Sequence, residues 1–169
     1  MAADTQKLST TPRATKGRSR RSPPYGFTIV ELLITVAVIL TLAAIAIPKL
    51  MSAINQAKVA KAVGDIRAIG TDVTGYAVEN GQYPNTLADV GDAGFNDPWG
   101  NPYQYLNFAN AKGKGQMRKD RFLVPINTFF DLYSMGPDGQ SVSPLTAKAS
   151  QDDIIWANDG DYVGVASDY

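Results

Sequence analysis

The chain has 169 residues, with sixteen basic and sixteen acidic side chains and neither cysteine nor histidine. Those two absences exclude disulfide frameworks, thiolate nucleophiles, imidazole general bases and the usual zinc sites. The balanced charge hides an asymmetry: residues 1–26 hold Lys7, Arg13, Lys16, Arg18, Arg20 and Arg21 against Asp4 alone, and the rest is a mildly acidic body that does not suggest nucleic-acid binding.

Residues 1–26 are polar, basic and rich in Ser, Thr and Pro, without apolar periodicity. They read as a disordered leader retained in the cytoplasm. Residues 27–47 form an apolar stretch whose only ionisable side chain is Glu31. As a helix at ~1.5 Å per residue this reaches about 31 Å, close to the thickness of a bilayer core. The basic cluster of the leader lies directly before it, so the positive-inside rule leaves the N-terminus in the cytoplasm and puts the remainder outside. Residues 27–48 are thus the transmembrane half of a helix that Pro48 kinks without ending. Over 49–79 the apolar positions Val59, Val63, Ile66, Ile69, Val73 and Tyr76 fall at steps of three and four, one stripe on an amphipathic continuation. "ENGQYP" (79–84) ends it, with Asn80-Gly81 suited to a left-handed exit and Pro84 barring continuation.

Residues 80–169 have a different texture. "NDPWGNPYQYLNF" sets tight-turn residues before an alternating aromatic run, which predicts a strand entered by a turn. "NTFFDLYSM" reads as a second strand stopped by "GPDG", and Ile154–Trp156 as a third. Short strands joined by tight turns make a small antiparallel sheet, one face of which can pack on the helix stripe. The fold class is therefore α+β. Trp99, Tyr103 and Tyr105 read as core aromatics. The loop 112–121, with Lys112, Lys114, Arg118, Lys119 and Arg121, reads as a solvated basic loop, the alternative being contact with lipid head groups, nucleic acid or an acidic subunit. No side-chain spacing nominates a nucleophile, a carboxylate dyad or a catalytic metal, so no enzyme is expected.

A carboxylate in hydrocarbon is costly and by default functional. A cleavable signal peptide, with Ala44-Ile45-Ala46 as its A-x-A site, and a plain single-pass anchor are both compatible with the apolar run, yet neither gives Glu31 a partner. A third reading does. Cleavage between Gly26 and Phe27 creates an α-amino group four residues before Glu31, and that cation could meet the carboxylate of a neighbouring copy shifted along the helix axis. Such a pair would set assembly register, because a subunit out of step leaves two unpaired charges in lipid.

"GFTIVELLITVAVILTLAAIAIP" resembles the N-terminal segment of type IV pilins and of the pseudopilins of type II secretion. "NGQYP", "DPWGNPYQY" and "FDLYSMGPDG" resemble the major pseudopilin in particular. Leu40 stands where the family often has Gly, and the paired cysteines of many type IV pilins are missing. The resemblance implies a type IV pilin-like fold and removal of the leader, with N-methylation of Phe27, by a prepilin peptidase. It implies partners too: copies of the chain in a helical homopolymer, minor pseudopilins, an inner-membrane platform, and a cytoplasmic ATPase as energy source. The subunit would wait in the inner membrane with its C-terminal region in the periplasm, then join a filament that drives folded proteins across the outer membrane. It also implies a structural calcium ion in the C-terminal loop. By position its ligands would be Asp138, Asp152, Asp153 and the Met135 backbone carbonyl, with Asp159 and Asp161 as substitutes. Irregular oxygen cages suit calcium, which takes six to eight ligands. The alternatives are a surface type IV pilin and a membrane-tethered enzyme or binding module that works uncut and unassembled.

Overall fold

The computed structural model describes residues 26–169, so the leader, apart from Gly26, lies outside the described residues. A single helix, α1, runs Ile29–Asn80 and includes Pro48. It ends as the sequence predicts: Gly81 has φ 72° and its N–H donates to the Ala77 carbonyl (2.9 Å). A left-handed residue there satisfies one of the carbonyls that a helix end leaves open.

The chain divides into two compact units, one ending at Ala43 and the other Ala44–Tyr169. In the first, the described residues are helix or its entry, and every side chain is exposed except that of Ala43, which is half-buried. This part belongs to a helix long and apolar enough to cross a membrane.

In the second unit the rest of α1 packs on a four-stranded sheet. The strands are β1 (Gln104–Asn107), β2 (Phe130–Ser134), β3 (Ile154–Ala157) and β4 (Tyr162–Val165), antiparallel and adjacent in chain order. Tyr105 pairs with Leu132, Tyr133 with Ile155, and Trp156 with Val163. Side chains alternate across a strand, so Phe130, Leu132, Ile154 and Val163 share one face. That face closes on Ala62, Ile66, Ile69 and Val73 of α1. The predicted stripe is therefore real, with Val59 and Val63 at its partly buried margin. Tyr103 is buried in this core, and Trp99 and Tyr105 are partly buried against it.

β4 is a strand the sequence reading does not anticipate. "YVGV" is short, flanked by Gly and Asp, and its alternation is interrupted by Gly164. A second apolar cluster was also not anticipated. Ile155 and Ala157, on the sheet face away from α1, are covered by Ile126, Leu145 and Ala166. Loops supply Ile126 and Leu145 and a short 3-10 turn after β4 supplies Ala166, and periodicity cannot reveal such pieces.

The turn motifs lock to each other. Asp97 Oδ1 accepts from the N–H groups of Trp99 (3.0 Å) and Asn101 (2.9 Å), closing the "DPWGN" turn. Its Oδ2 accepts from Ser134 Oγ (2.5 Å), and Asn101 Nδ2 donates to the Gly136 carbonyl (3.2 Å). Two motifs distant in sequence thus form one structural joint at the end of β2.

Candidate functional site

Two places carry the sequence-predicted site residues: the start of α1 and the C-terminal loop. Gly26, Phe27 and Thr28 precede the first turn, and Phe27 is 83% exposed. Thr28 and Glu31 form a reciprocal cap. The Thr28 N–H and Oγ both donate to Glu31 Oε2 (2.9 and 2.8 Å), and the Glu31 N–H donates to Thr28 Oγ (3.2 Å). Spacing S/T-x-x-E at a helix start is the capping box. Glu31 therefore has a local partner that the sequence reading did not give it. Both bonds fall on Oε2, and Oε1 makes no hydrogen bond among the described residues. The carboxylate is held at the helix N-terminus, where the macrodipole favours it, with one oxygen still to offer.

In the C-terminal loop the expected ligands separate. Asp138 sits in the turn after β2, where Gly136 (φ 65°) and Gly139 (φ 66°) hold left-handed conformations. A Cβ on Gly136 would fall 2.3 Å from the Asp152 carbonyl oxygen, so only glycine lets the turn reach that backbone. The Asp138 N–H donates to Asp152 Oδ2 (3.3 Å), and Asp138 Oδ1 accepts from the Gln140 N–H (2.8 Å). Both carboxylates line an open cleft with Gln140, Lys148 and Ser167. Met135 is in the same turn.

Asp153 points elsewhere. It is fully buried, and its Oδ2 forms an ion pair with Arg118 and accepts from Ser141 Oγ (2.5 Å). Burial pushes its carboxyl up to about 6, against the pull of Ser141 and Arg118. Arg118 is itself buried, its guanidinium carbon 4.2 Å from the centre of the Tyr133 ring. Its N–H donates to Asp131 Oδ2 (2.5 Å), whose other oxygen accepts from Asn127 Nδ2 (3.1 Å). Burial raises the Asp131 carboxyl too, with the Arg118 N–H and Asn127 opposing. Asp159, the substitute ligand, is occupied in structure: its oxygens accept from the Thr128 N–H (2.8 Å) and Oγ (2.6 Å). Asp161 is exposed.

Of the ligands the resemblance implies, Asp138 and Asp152 share one open cleft, whereas Asp153 lies outside it, paired with Arg118. Among the described residues no three Asp or Glu side chains converge as a metal cluster. The basic loop corrects the sequence reading at one position. Lys112, Lys114 and Arg121 are exposed as expected, but Arg118 is buried rather than solvated. The available signal was Asp131, an acid inside the apolar run "FFDLY", which needs a counter-charge or donors when buried.

The prokaryotic N-terminal methylation motif matches residues 22–47. The chain is 34% identical to the type II secretion system core protein G of Pseudomonas aeruginosa, over 72% of this chain and 89% of that protein. The chain belongs to the core protein G family of type II secretion. The protein of the same name from Aeromonas hydrophila is 30% identical, covering 69% of this chain and 85% of its own, and that of Escherichia coli K12 is 29% identical over 68% and 83%. No solved structure gives a significant match. As a core protein G the chain is a structural pseudopilin subunit, not an enzyme, and the apolar first half of α1 is its membrane anchor.

Proposed function

We propose that the chain is made as a precursor, cut between Gly26 and Phe27, methylated on Phe27, and added from the inner membrane to a periplasmic filament that drives folded proteins across the outer membrane. The observation that carries this reading is the two-sided character of α1. Its second half buries Ala62, Ile66, Ile69 and Val73 against its own sheet, while the apolar side chains of its first half are exposed. Those side chains need lipid before assembly and other helices after it, and copies of the same chain supply the latter. Orientation follows from the basic cluster of residues 1–26, six cations against one acid, which precedes the apolar segment on the side that stays in the cytoplasm.

Glu31 does two things in this scheme. Oε2 caps its own helix, and Oε1 receives the ammonium of Phe27 from a neighbouring subunit, so that register is checked without dismantling the cap. The partners are other copies of the chain, minor pseudopilins, the inner-membrane platform and the prepilin peptidase, with a cytoplasmic ATPase supplying energy. A calcium ion on Asp138, Asp152 and the Met135 carbonyl would neutralise two facing carboxylates and brace the turn that Asp97 and Ser134 anchor from the other side.

The test is the secreted proteome of a strain lacking the gene, complemented with wild type or with Glu31→Val. Loss of folded proteins from the medium, their accumulation in the periplasm, and rescue by wild type alone is the outcome this function requires. The Glu31→Val chain should still be cut and inserted. Unchanged secretion in the deletion strain overturns the proposal in favour of a surface pilin.

A further inference from the structure

Among the described residues Arg118 is the one buried cation, and the buried carboxylates number three: Asp97, Asp131 and Asp153. Asp97 is satisfied by turn N–H groups and Ser134. The other two both converge on Arg118, Asp131 through its backbone N–H and Asp153 through its guanidinium. Three separate pieces of chain meet in this way: the basic loop, β2 through Asp131 and Tyr133, and the residue that opens β3. Ser141 adds the segment between them by donating to Asp153, and the Ser150 hydroxyl, bonded to both the N–H and the carbonyl of Val142, fastens that segment. Gathering oxygen ligands from distant segments is what a bound divalent ion does for a cysteine-free loop. A guanidinium does it permanently, because it does not lose its proton in proteins and chelators cannot remove it. The two partners of the ion pair also hold the remaining unpaired buried atoms of this cluster, Arg118 Nε and Asp153 Oδ1.

We infer that Arg118 is the built-in cation of the C-terminal loop, holding Asp153 in the place of a metal ion and keeping that carboxylate out of any metal shell. The inference stands whether or not Asp138 and Asp152 bind calcium. It also gives the basic loop a purpose other than a charged surface: the loop delivers one side chain under the sheet.

The test uses the full chain in detergent micelles at pH 8, as wild type, Arg118→Met, Asp153→Asn and the double variant, with thermal unfolding followed in EGTA and in millimolar calcium. In EGTA each single substitution leaves a buried charge without its partner and should lower Tm by roughly 10 °C, while the double variant loses less than the two single losses combined. The increment that calcium adds to wild type should persist unchanged in Asp153→Asn and vanish in Asp138→Asn. A wild type indifferent to calcium supports the inference equally, since Arg118 is then the cation that gathers the loop, and removes the calcium reading instead. Additive losses in EGTA, or a calcium increment abolished by Asp153→Asn, would overturn the inference. If Arg118→Met yields no folded chain, Arg118→Lys, which keeps the charge but loses the planar fork, takes its place and should fall between wild type and Asp153→Asn.

Discussion

Asp152 and Asp153 are neighbours in sequence and opposites in environment. Asp152 lies half-buried in an open cleft, whereas Asp153 is sealed beneath Arg118 and Ser141 at the entry to β3. Asp152 lies in the turn before β3 and Asp153 stands where the chain enters the strand, which is why a pair that reads as one binding unit splits in two. The split has a consequence for acid stability. The Asp153 carboxyl is raised to about 6 in the fold, so between its unfolded value near 4 and 6 the native state holds the extra proton. Stability attributable to this group is therefore greatest below about pH 4, falls as pH rises to about 6, and is level above. Urea unfolding of wild type and Asp153→Asn across that range should show the slope in wild type and its reduction in the variant; equal slopes would contradict it. Glu31 was legible because a charge in an apolar run is conspicuous. Arg118 was not, because nothing separates one cation from four others in a loop without periodicity.

At the scale of elements, the join between α1 and β3 depends on a slot for Trp156. A Cβ at Gly70 would fall 2.3 Å from the indole, and one at Gly160 2.5 Å from it. The ring also stacks on Phe130 at 5.8 Å. Gly70→Ala should therefore cost about 1–3 kcal/mol through overpacking, despite the gain in helix propensity. Ile66→Ala, on the same stripe and fully buried, should cost about 2–5 kcal/mol by opening a cavity. Denaturant titrations would measure both, and a Gly70→Ala chain more stable than wild type would show that the slot is not tight. The apolar stripe could be read from its spacing, and so could the helix stop at Gly81 and the strands β1 to β3. Ala62 and Gly70 escaped because small residues give little hydrophobic signal, although they are what allow helix and sheet to approach. The loops over Ile155 and Ala157 escaped because Leu145 stands singly among polar and small residues and Ile126 follows a short apolar run broken by Pro125, neither with a helix or strand period.

For the whole molecule, the decisive quantity is the apolar surface the chain leaves uncovered. Ile34, Val38, Leu40 and Leu42 are each about half or more exposed, with no covering partner among the described residues. The protein should therefore stay in the membrane pellet after an alkaline carbonate wash and leave it only with detergent. Leu33→Lys together with Leu40→Lys should shift a large fraction to the soluble phase, since each cation near mid-membrane costs about 2.5–3.5 kcal/mol on insertion scales. Retention of the doubly charged chain would mean that something other than this helix anchors it.

The strand order of the sheet follows the chain, and this fixes when the fold can be finished. The helix stripe, Ala62 to Val73, is made early, yet its partners run from Tyr103 to Val163, the last lying in β4 some ninety residues on. At about 5–20 residues per second, the ribosome leaves that stripe without its final strand for several seconds. Every newborn subunit thus passes through an interval in which one half of its helix is settled in lipid and the other still waits, apolar and unpaired, for β4 to be made.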